Sequence, residues 1–339
     1  MSMKRISVLV AIVLSGAGVA MGQTIWDQYP GNPVLGPGDP GTWDAGGRGA
    51  ATVVFDGSVH HAWFIGFNAG GYWNGIGHAT SPDGLPPWTM DPVNPVLTHG
   101  APGEWDDSYV FDHSVIFDGI LFHMWYAGGD GSFRQGGYAT SPDGSAWTRH
   151  PGNPVLQVGP PGSFDEFIAG PASVILDGGT YKMWYTGCTF PPGAPCQIGY
   201  AESADGIAWN KEPDPVLAPA TDPDDWDQVI GNPSVVRDGS TYHMLFAGQT
   251  DDTRIDIGYA YSGDGTHWMK YGGNPVIQTA DHFAFLAPFT IEGPTFRTWY
   301  THIDGLSTWT SYASSECCAG LFSDDFETGD TSLWSTTVP

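Results

Sequence analysis

The sequence is poor in basic residues. Its 339 residues contain 11 Lys and Arg against 37 Asp and Glu, which gives a formal net charge of −26. Loss of an N-terminal segment with Lys4 and Arg5 would leave nine basic residues (11 − 2) and a charge of −28 (−26 − 2), because residues 1–22 contain no acid. Nucleic acids and anionic lipids need a basic surface that such a chain cannot present. We therefore expect neither of them as a partner.

The sequence also lacks a long stretch with the hydrophobic periodicity of a helix. Its one long apolar run lies at the N terminus. Lys4 and Arg5 precede ISVLVAIVLSGAGVA, and Ala20 and Gly22 are small residues at the −3 and −1 positions of a cleavage site. The run is too short to span a bilayer. We interpret residues 1–22 as a signal peptide and expect a secreted or cell-surface protein.

Cysteine is scarce, since the chain has four. Export makes disulfides possible. Cys188 and Cys196 flank TFPPGAP in a loop between two predicted strands, where a hairpin would bring them together, so we expect a disulfide there, with two free thiols as the alternative. Cys317 and Cys318 are adjacent, and their partners stay unassigned.

Glycine and aromatic residues are abundant, and they recur with a period. The NPVL element starts at Asn32, Asn94, Asn153, Asp214 and Asn274, in steps of 62, 59, 61 and 60 residues. Two further anchors keep the same order: an acid-glycine pair at Asp56, Asp118, Asp177, Asp238 and Glu292, and an aromatic pair at 63–64, 125–126, 184–185, 245–246 and 299–300. The chain therefore contains five copies of one unit of about 60 residues.

Each copy is predicted to form four short antiparallel strands. ASVILDG runs into an Asp-Gly turn, a strong hairpin signal, and TYKMWYTG then alternates between two faces. Such a unit is a propeller blade, whose apolar faces need neighbouring blades to cover them. The last copy lacks its fourth strand, whereas IWDQYPGNPVL at 25–35 matches AWTRHPGNPVL at 146–156. We predict an all-β, five-bladed β-propeller over residues 23–316, closed by the N-terminal strand completing the last blade.

The composition changes after the repeats. Residues 317–339 contain LFSDDFETGDTSLWSTTVP, which resembles the short acidic and aromatic tails of many exported bacterial proteins. The segment is predicted to be a sorting or processing tag or, alternatively, a disordered terminus.

Acids near the start of the first strand of each copy are the candidate functional groups, because these strand ends line a shared central funnel. Asp44, Asp106, Asp165 and Asp227 repeat after an aromatic residue and are interpreted as turn or capping groups. Asp112, Asp107 and Glu166 break the repeat. Glycoside hydrolysis needs one protonated carboxyl and one ionised carboxylate, so these three are the predicted catalytic residues; acids of the solvated surface are the alternative.

Other residues of these strand entries are predicted to contact a ligand. Arg48, His113 and Asn232 lie there, and we expect them to bind substrate. Asp112 is aligned with Gly49, Gly170, Asn232 and Ala287 of the other copies. His61, His123 and His243 share a column of the second strand with Lys182 and Arg297, which indicates a solvated stripe and not a metal site.

The repeated run PASVILDGGTYKMWYTG…IGYAESADGIAW…PVL resembles the five-bladed glycosidase superfamily of arabinanases, invertases and levansucrases, including glycoside hydrolase families 43, 32 and 130. In families 43 and 130 an acid just before the innermost strand, often as Asp-Pro, is functional; Asp112 in FDHSVI matches it, with His113 in place of Pro. The motifs W-M-N-D-P-N-G, R-D-P and E-D-P-R are absent. Glu292 in EGP imitates a general-acid motif of family 43, but its column is that of a hairpin turn.

The resemblance also bears on metals. Some relatives hold an axial calcium or water near a histidine, and His302 replaces a glycine of the other copies. We expect no cofactor, with an axial calcium near His302 as the alternative, since no cluster of oxygen ligands is evident.

The sequence thus predicts a secreted, monomeric, carbohydrate-active protein of the glycoside hydrolase type, which acts on an oligo- or polysaccharide in the funnel. Phosphate and water both stay open as the acceptor. The alternatives are a carbohydrate-binding propeller without catalysis and a structural or adhesive surface propeller.

Overall fold

The structure is a computed structural model that describes residues 26–189, 195–222, 225–251, 254–279, 284–285, 287–305 and 307–316. These residues form β-strands, turns and loops, without a helix, as the all-β prediction requires. In the described part of the chain there is accordingly no helix long and apolar enough to cross a membrane. The chain from Thr24 to Cys317 forms one compact unit. The predicted signal peptide and the predicted tail lie outside the described residues.

The strands follow the repeats of the sequence. The first repeat contains β2 (Gly47–Phe55), β3 (His60–Phe67), β4 (Trp73–Ser81) and β5 (Thr89–Met90), after β1 (Asp27–Gln28). The second contains β6 (Tyr109–Phe117), β7 (Phe122–Gly129), β8 (Arg134–Ser141) and β9 (Thr148–Arg149), and the third β10 (Ile168–Asp177), β11 (Thr180–Cys188), β12 (Gln197–Ser203) and β13 (Asn210–Lys211). The fourth contains β14 (Val229–Asp238), β15 (Thr241–Asp251), β16 (Arg254–Ser262) and β17 (Met269–Lys270), and the fifth β18 (Ala284–Phe285), β19 (Phe289–Glu292), β20 (Thr295–Asp304) and β21 (Ser307–Glu316).

Each of the first four repeats is an antiparallel meander, in which every strand pairs with the next. In the fifth repeat β18 and β19 both pair with β20, which pairs with β21. The fourth position of this repeat is taken by β1, whose Asp27 and Gln28 pair with Ser314 and Ala313. The described strands lie in three sheets of nine, eight and four strands, none closed on itself.

Two of these sheets join neighbouring repeats through single parallel bridges. Gly47 of β2 pairs with Thr308 of β21, and Ile168 of β10 pairs with Arg134 of β8. Both bridges lie where a first strand begins, so that the third strand of one repeat touches the first strand of the next. The second bridge fixes the position of Arg134.

In four of the five repeats the asparagine of the NPVL element ties this element to the third strand; the third repeat has Asp214 at this position. The side-chain oxygen of the asparagine accepts a backbone N–H and its amide nitrogen donates to the C=O of the same residue, in the pairs Asn94 with His78, Asn153 with Tyr138, Asn274 with Tyr259, and Asn32 with Tyr312. The last pair spans 280 residues. The N-terminal segment therefore makes the same contact with the fifth repeat that the other segments make within their own.

Contacts between repeats explain the Ser-x-Asp-Gly turns. A fully buried tryptophan of the second strand donates its Nε1–H to the glycine carbonyl of a turn in another repeat, in the pairs Trp63 with Gly144, Trp125 with Gly206, Trp184 with Gly265, and Trp299 with Gly84. The first three link consecutive repeats, and Trp299 links the fifth repeat to the first. The fourth repeat has Leu245 at this position and fills it with apolar packing.

Hydroxyl groups connect the first strands themselves. Ser114, Ser173 and Ser234 each accept a hydrogen bond from the backbone of the following repeat, at Val174, Val235 and Phe289. Thr52 instead donates to the carbonyl oxygen of His113, at 2.9 Å. These bonds hold the first strands beside one another, with cavities between them.

Candidate functional site

The cavity of interest lies where the first strands of the second, third and fourth repeats begin. It has a volume of ≈ 290 Å³. Its described lining is mostly apolar, with Asp112, Arg134, Thr186, Asn232 and Gln249 among the polar side chains. Apolar walls with a few convergent polar groups are typical of a small-ligand site. We call it the Asp112 cavity.

Asp112 occupies a bulge of β6, where the register shifts between Phe111 and His113. Its φ angle is +26°, and positive φ values recur at Ala50 (+54°) and Asn232 (+49°). These residues precede Ser114, Thr52 and Ser234 by two positions each, in the matching strands.

The same register corrects the alignment of Asp112. The structure aligns Asp112 with Ala50, Pro171 and Asn232, so the expected equivalence with Asn232 is right. The expected equivalence with Gly49 and Gly170 is wrong by one residue, because Asp112, Ala50 and Pro171 each lie six residues before the Asp of their Asp-Gly turn, whereas Gly49 and Gly170 lie seven residues before it. Ala287 is also not equivalent to Asp112, and here the error lies on the C-terminal side. The N–H of Trp299 bonds to the carbonyl of Pro288, so that Ala287 lies one residue before this contact, whereas Asp112 lies two residues before the matching one.

The electrostatic state of Asp112 is set by its surroundings. Burial raises its pKa to about 7, while the positive charge of Arg134 and a hydrogen bond from Asn232 oppose the rise. The bond runs from Nδ2 of Asn232 to Oδ2 of Asp112 and measures 3.0 Å. A carboxyl group that exchanges its proton near neutral pH, at the wall of a cavity, is suited to acid–base chemistry.

Arg134 is a site residue that the sequence did not single out. Its guanidinium carbon lies 5.4 Å from the ring centre of Trp73, 5.6 Å from that of Tyr109 and 5.2 Å from that of Phe111. Trp73 stacks on Phe111 with ring centres 4.8 Å apart, and 37% of its surface is exposed. We call these four residues the arginine box. An exposed aromatic ring at a cavity mouth can hold the apolar face of a sugar.

The predicted disulfide is confirmed: Cys188 and Cys196 are bonded, with their Cα atoms 4.3 Å apart. Cys188 ends β11, and both cysteines line the Asp112 cavity. The bridge therefore supports one wall of the candidate site.

Asp107 and Glu166 do not join Asp112, contrary to the expectation for its catalytic partners. Neither lines the Asp112 cavity. Oδ2 of Asp107 accepts the N–H of Gly103 at 2.7 Å, and Oε2 of Glu166 accepts the N–H of Gly162 at 2.6 Å, both in the loop before a first strand. The two acids thus accept equivalent hydrogen bonds in the turns of consecutive repeats; their catalytic role stays a prediction.

Arg48, for which substrate binding stays a prediction, pairs with an acid and is not among the described residues that line the Asp112 cavity. Its Nε donates to Oδ2 of Asp44 at 2.6 Å, and its guanidinium lies 5.6 Å from the ring centre of Phe64. Asp44 is a buried member of the repeated acids. Each of the other three is paired with a cation of the short fourth strand: Asp106 with Arg149, Asp165 with Lys211, and Asp227 with Lys270.

The first repeat has Met90 where those cations stand. Arg48 lies in β2 and supplies the positive charge that the fourth strand of this repeat lacks. This role explains why the first repeat differs from the others at the position of Arg48. The interpretation of the four repeated acids as structural groups agrees with these contacts.

His113 is buried too deeply to contact a substrate in the Asp112 cavity. It is buried, and its Nε2 donates to the carbonyl of Trp63 at 2.8 Å. Burial lowers the pKa of His113 to about 4, which keeps the ring neutral. His113 lines a separate small cavity of ≈ 20 Å³ that Asp112 and Asn232 also border. Asn232 thus lines both cavities, whereas His113 lines only the small one.

The histidine column is buried and hydrogen-bonded, so its interpretation as a solvated stripe is wrong. His61 bonds to Asp56 and His78, and His243 bonds to Tyr259. His302 is half-buried in β20, and its Nδ1 lies 3.0 Å from Oγ of Ser311. Within the described residues, no group of three or more His, Cys, Asp or Glu side chains is arranged to hold a metal.

A larger cavity of ≈ 440 Å³ lies at the opposite ends of the first strands. Val53, Val115, Val174 and Val235 contribute to its wall, with Glu292 and Arg297 at one side. Glu292 is exposed and pairs with Arg297 across the hairpin of β19 and β20, in agreement with its prediction as a turn residue.

Comparisons with known proteins agree on the type of fold. A family model described as beta-1,4-mannooligosaccharide phosphorylase matches residues 192–285. An uncharacterized protein of Mycobacterium tuberculosis (strain CDC 1551 / Oshkosh) is 31% identical over 198 residues, which cover 56% of this chain and 64% of that protein. The chain thus spans just under two thirds of the length of this curated relative.

Solved structures give the same result. A β-1,2-mannobiose phosphorylase from Listeria innocua, in complex with β-1,2-mannobiose, superposes with a TM-score of 0.67 at 15% identity, over 86% of this chain and 96% of that one. A thermostable family-43 glycoside hydrolase gives a TM-score of 0.62 at 19% identity, over 78% and 88%. The chain is therefore similar to the propeller glycosidase superfamily, as its repeats predicted, and it has that superfamily's fold.

Proposed function

We propose that this is a secreted carbohydrate-active protein of the glycoside hydrolase type, which holds an oligo- or polysaccharide in the Asp112 cavity. The observation that carries the proposal is the Asp112 carboxyl itself. It borders a cavity with an exposed tryptophan, and burial raises its pKa to about 7. A glycosidic oxygen needs such a proton donor when its bond to the sugar breaks.

The proposed frame is a closed ring of five blades. Two contacts support closure: β1 pairs with β21, and Trp299 of the fifth repeat donates to Gly84 of the first. The bond of Trp299 has the same form as the bonds between consecutive repeats. In such a ring the first strands surround the axis, and the cavities between them form one central funnel.

The proposed chemistry assigns the proton to Asp112. Its protonated carboxyl donates to the glycosidic oxygen while the bond between this oxygen and the anomeric carbon breaks, and water or phosphate attacks the anomeric carbon. Asn232 positions the carboxyl through its hydrogen bond to Oδ2. The family model favours a phosphorylase, in which phosphate is the acceptor, and some of the solved relatives are hydrolases.

Binding without turnover is the second candidate function, and a specific observation favours it. Asp112 is the only carboxyl among the described residues that line the cavity. Hydrolysis by the usual route needs a second carboxyl to activate water or attack the sugar. A propeller that binds a glycan and does not cleave it requires no such group.

A glycan screen of the purified protein tests both candidates. Plant and microbial oligo- and polysaccharides are offered with and without inorganic phosphate, and both binding and release of reducing ends or sugar phosphates are measured. Heat-denatured protein is the control. Product release supports the enzyme, binding without product supports the binding protein, and failure to bind any glycan contradicts the whole proposal and leaves a structural or adhesive role.

Export and a monomeric state complete the proposal. Expression with residues 1–22 should give a secreted protein whose N terminus is Gln23, which mass spectrometry can read. Light scattering should give the mass of one chain. Recovery of uncleaved protein, or a mass of two chains, would contradict the respective part.

A further inference from the structure

We infer that the Asp112 cavity selects an acidic sugar, and that Arg134 binds the carboxylate of a uronic-acid residue. The inference rests on the proposed function and adds the charge of the substrate to it.

Arg134 is held at the edge of the cavity. It begins β8, pairs with Ile168 of the third repeat, and donates its backbone N–H to Phe167. The rings of Trp73, Tyr109 and Phe111 surround its guanidinium at 5.2 to 5.6 Å from the ring centres. Contacts with ring faces orient a guanidinium and leave its in-plane N–H groups available to a ligand.

The charge of Arg134 is not balanced by a close carboxylate. No carboxylate oxygen of the described residues lies within 4.0 Å of its guanidinium nitrogens, and Asp112 acts on it over a longer distance. The paired cations Arg48, Arg149 and Lys211 show the contrast, since each contacts a buried acid. A half-buried arginine in a ligand cavity with open donors is a binding group for an anion.

The number of cations favours a carboxylate as that anion. Arg134 is the only cationic side chain among the described residues of the cavity lining. One guanidinium matches one carboxylate, which carries a single charge and accepts two parallel hydrogen bonds. A phosphate carries a charge of about −1.5 to −2 at neutral pH, so it would lie here beside Asp112 with a single cation to balance it.

The position of Trp73 connects this anion to a sugar. Trp73 belongs to the arginine box and is 37% exposed. A sugar ring on the exposed part of Trp73 would bring a substituent of the ring within reach of Arg134. The carboxylate at carbon 6 of a uronic acid is such a substituent.

The test compares an acidic oligosaccharide with its carboxyl-reduced form, which has the same linkages and no charge. A uronic-acid oligosaccharide that the wild type binds is used, and calorimetry measures both affinities. We expect the wild type to bind the acidic form at least about 10-fold more tightly, as for a hydrogen bond to a charged group. Arg134→Gln should remove this preference, measured within the variant as the ratio of its affinities for the two forms.

Arg237→Gln is the matched control. It removes the same charge from a hairpin turn, where Arg237 is exposed and pairs with Asp177. Its preference for the acidic form should equal that of the wild type; equal losses in both variants would show a general charge effect and overturn the inference. Melting curves of both variants establish that they fold.

The outcomes separate this inference from the proposed function. If no glycan of the panel binds, the proposed function fails; if neutral glycans bind and no uronic-acid oligosaccharide does, glycan binding stands and the inference about Arg134 is wrong. If both forms bind equally, or if Arg134→Gln keeps the preference, glycan binding stands and the inference about Arg134 is wrong. Inorganic phosphate is titrated as a separate arm. Phosphate binding that Arg134→Gln abolishes, without any preference for the acidic form, would assign Arg134 to free phosphate and overturn the uronic-acid inference.

Discussion

Asn232 donates a hydrogen bond of 3.0 Å to Asp112, a residue 120 positions earlier in the chain. The two residues belong to the fourth and second repeats and occupy the same bulge position, each with a positive φ angle. The bond therefore joins two repeats that are not consecutive in the chain. The two repeats thus have polar side chains at the same structural position, and these side chains bond to each other in the cavity.

The pKa of Asp112 predicts a pH dependence of stability. Burial raises this pKa from 3.8 to about 7 in the folded protein, so the folded state binds more protons than the unfolded state between these values. The free energy of unfolding should then fall as pH rises from about 4 to about 7, by at most about 1.4 kcal/mol per pH unit, and this contribution should stay constant above about 7.

Asp112→Asn removes this contribution because an amide does not titrate. The melting temperature of the variant, relative to the wild type, should increase from pH 4 to pH 7 and then level off. A difference between the two proteins that does not change with pH would show that Asp112 is not a buried titrating group.

The pair of Arg48 and Met90 allows a rescue experiment. Arg48→Met should lower the free energy of unfolding by about 3 kcal/mol, because it leaves the buried Asp44 without its cation. Met90→Arg in the same chain should recover most of the loss, since Arg149 pairs with Asp106 from the corresponding position.

Urea unfolding of the single and double variants measures this effect. Affinity for a bound glycan is measured beside it, and we expect no change. An unaltered stability together with a weakened glycan affinity would return Arg48 to the substrate-binding role that the sequence predicted.

The N-terminal strand is predicted to be essential for the last blade. Deletion of residues 23–35 removes β1, the bonds between Asn32 and Tyr312, and the bridge of Leu35 to Thr310. The exposed edge of β21 should cause aggregation or a large loss of stability. A deletion of residues 1–22 alone is the control. A shortened protein that stays monomeric with an unchanged melting temperature would contradict closure by this strand.

The disulfide predicts a measurable link to the site. Digestion of non-reduced secreted protein should yield one peptide pair joined through Cys188 and Cys196. Replacement of both by serine should lower the affinity for a glycan, since both residues line the Asp112 cavity, while the variant still folds. Alkylation of both cysteines in the untreated protein would refute the bridge.

Much of the fold can be predicted from the sequence because most of the repeats make the same contacts. The asparagine of NPVL bonds to a third strand, and the glycine of each Ser-x-Asp-Gly turn accepts from a tryptophan of another repeat. These contacts need particular side chains at fixed positions. Periodicity therefore identifies the strands and their order.

The site was harder to predict because its residues break the period. The residues in the column of Asp112 differ in type from repeat to repeat, and the alignment of Asp112 with Gly49 and Gly170 was wrong by one position; a constant distance of six residues to the Asp of each Asp-Gly turn gives the alignment that the structure shows. Asp107 and Glu166 also break the repeat, yet a turn that needs an acceptor for a glycine N–H uses an acid equally well.

Arg134 was missed for a different reason. It begins a third strand, whereas the residues predicted for the site lie at the entries to the first strands. The signal was a cation at a position that holds Asn74, Cys196 and Ile255 in the other repeats. Only the three-dimensional arrangement places this end of β8 next to Asp112.

The central claim is that Asp112 donates a proton to a glycan bound in its cavity, and the most direct measurement is the turnover and affinity of Asp112→Asn for a glycan that the wild type cleaves. We predict that kcat falls by at least about 100-fold, the usual contribution of a general acid, while the dissociation constant changes by less than about 3-fold. Wild-type activity should decline as pH rises through about 7, because Asp112 then loses its proton. Turnover by Asp112→Asn within a few fold of the wild type would contradict the account.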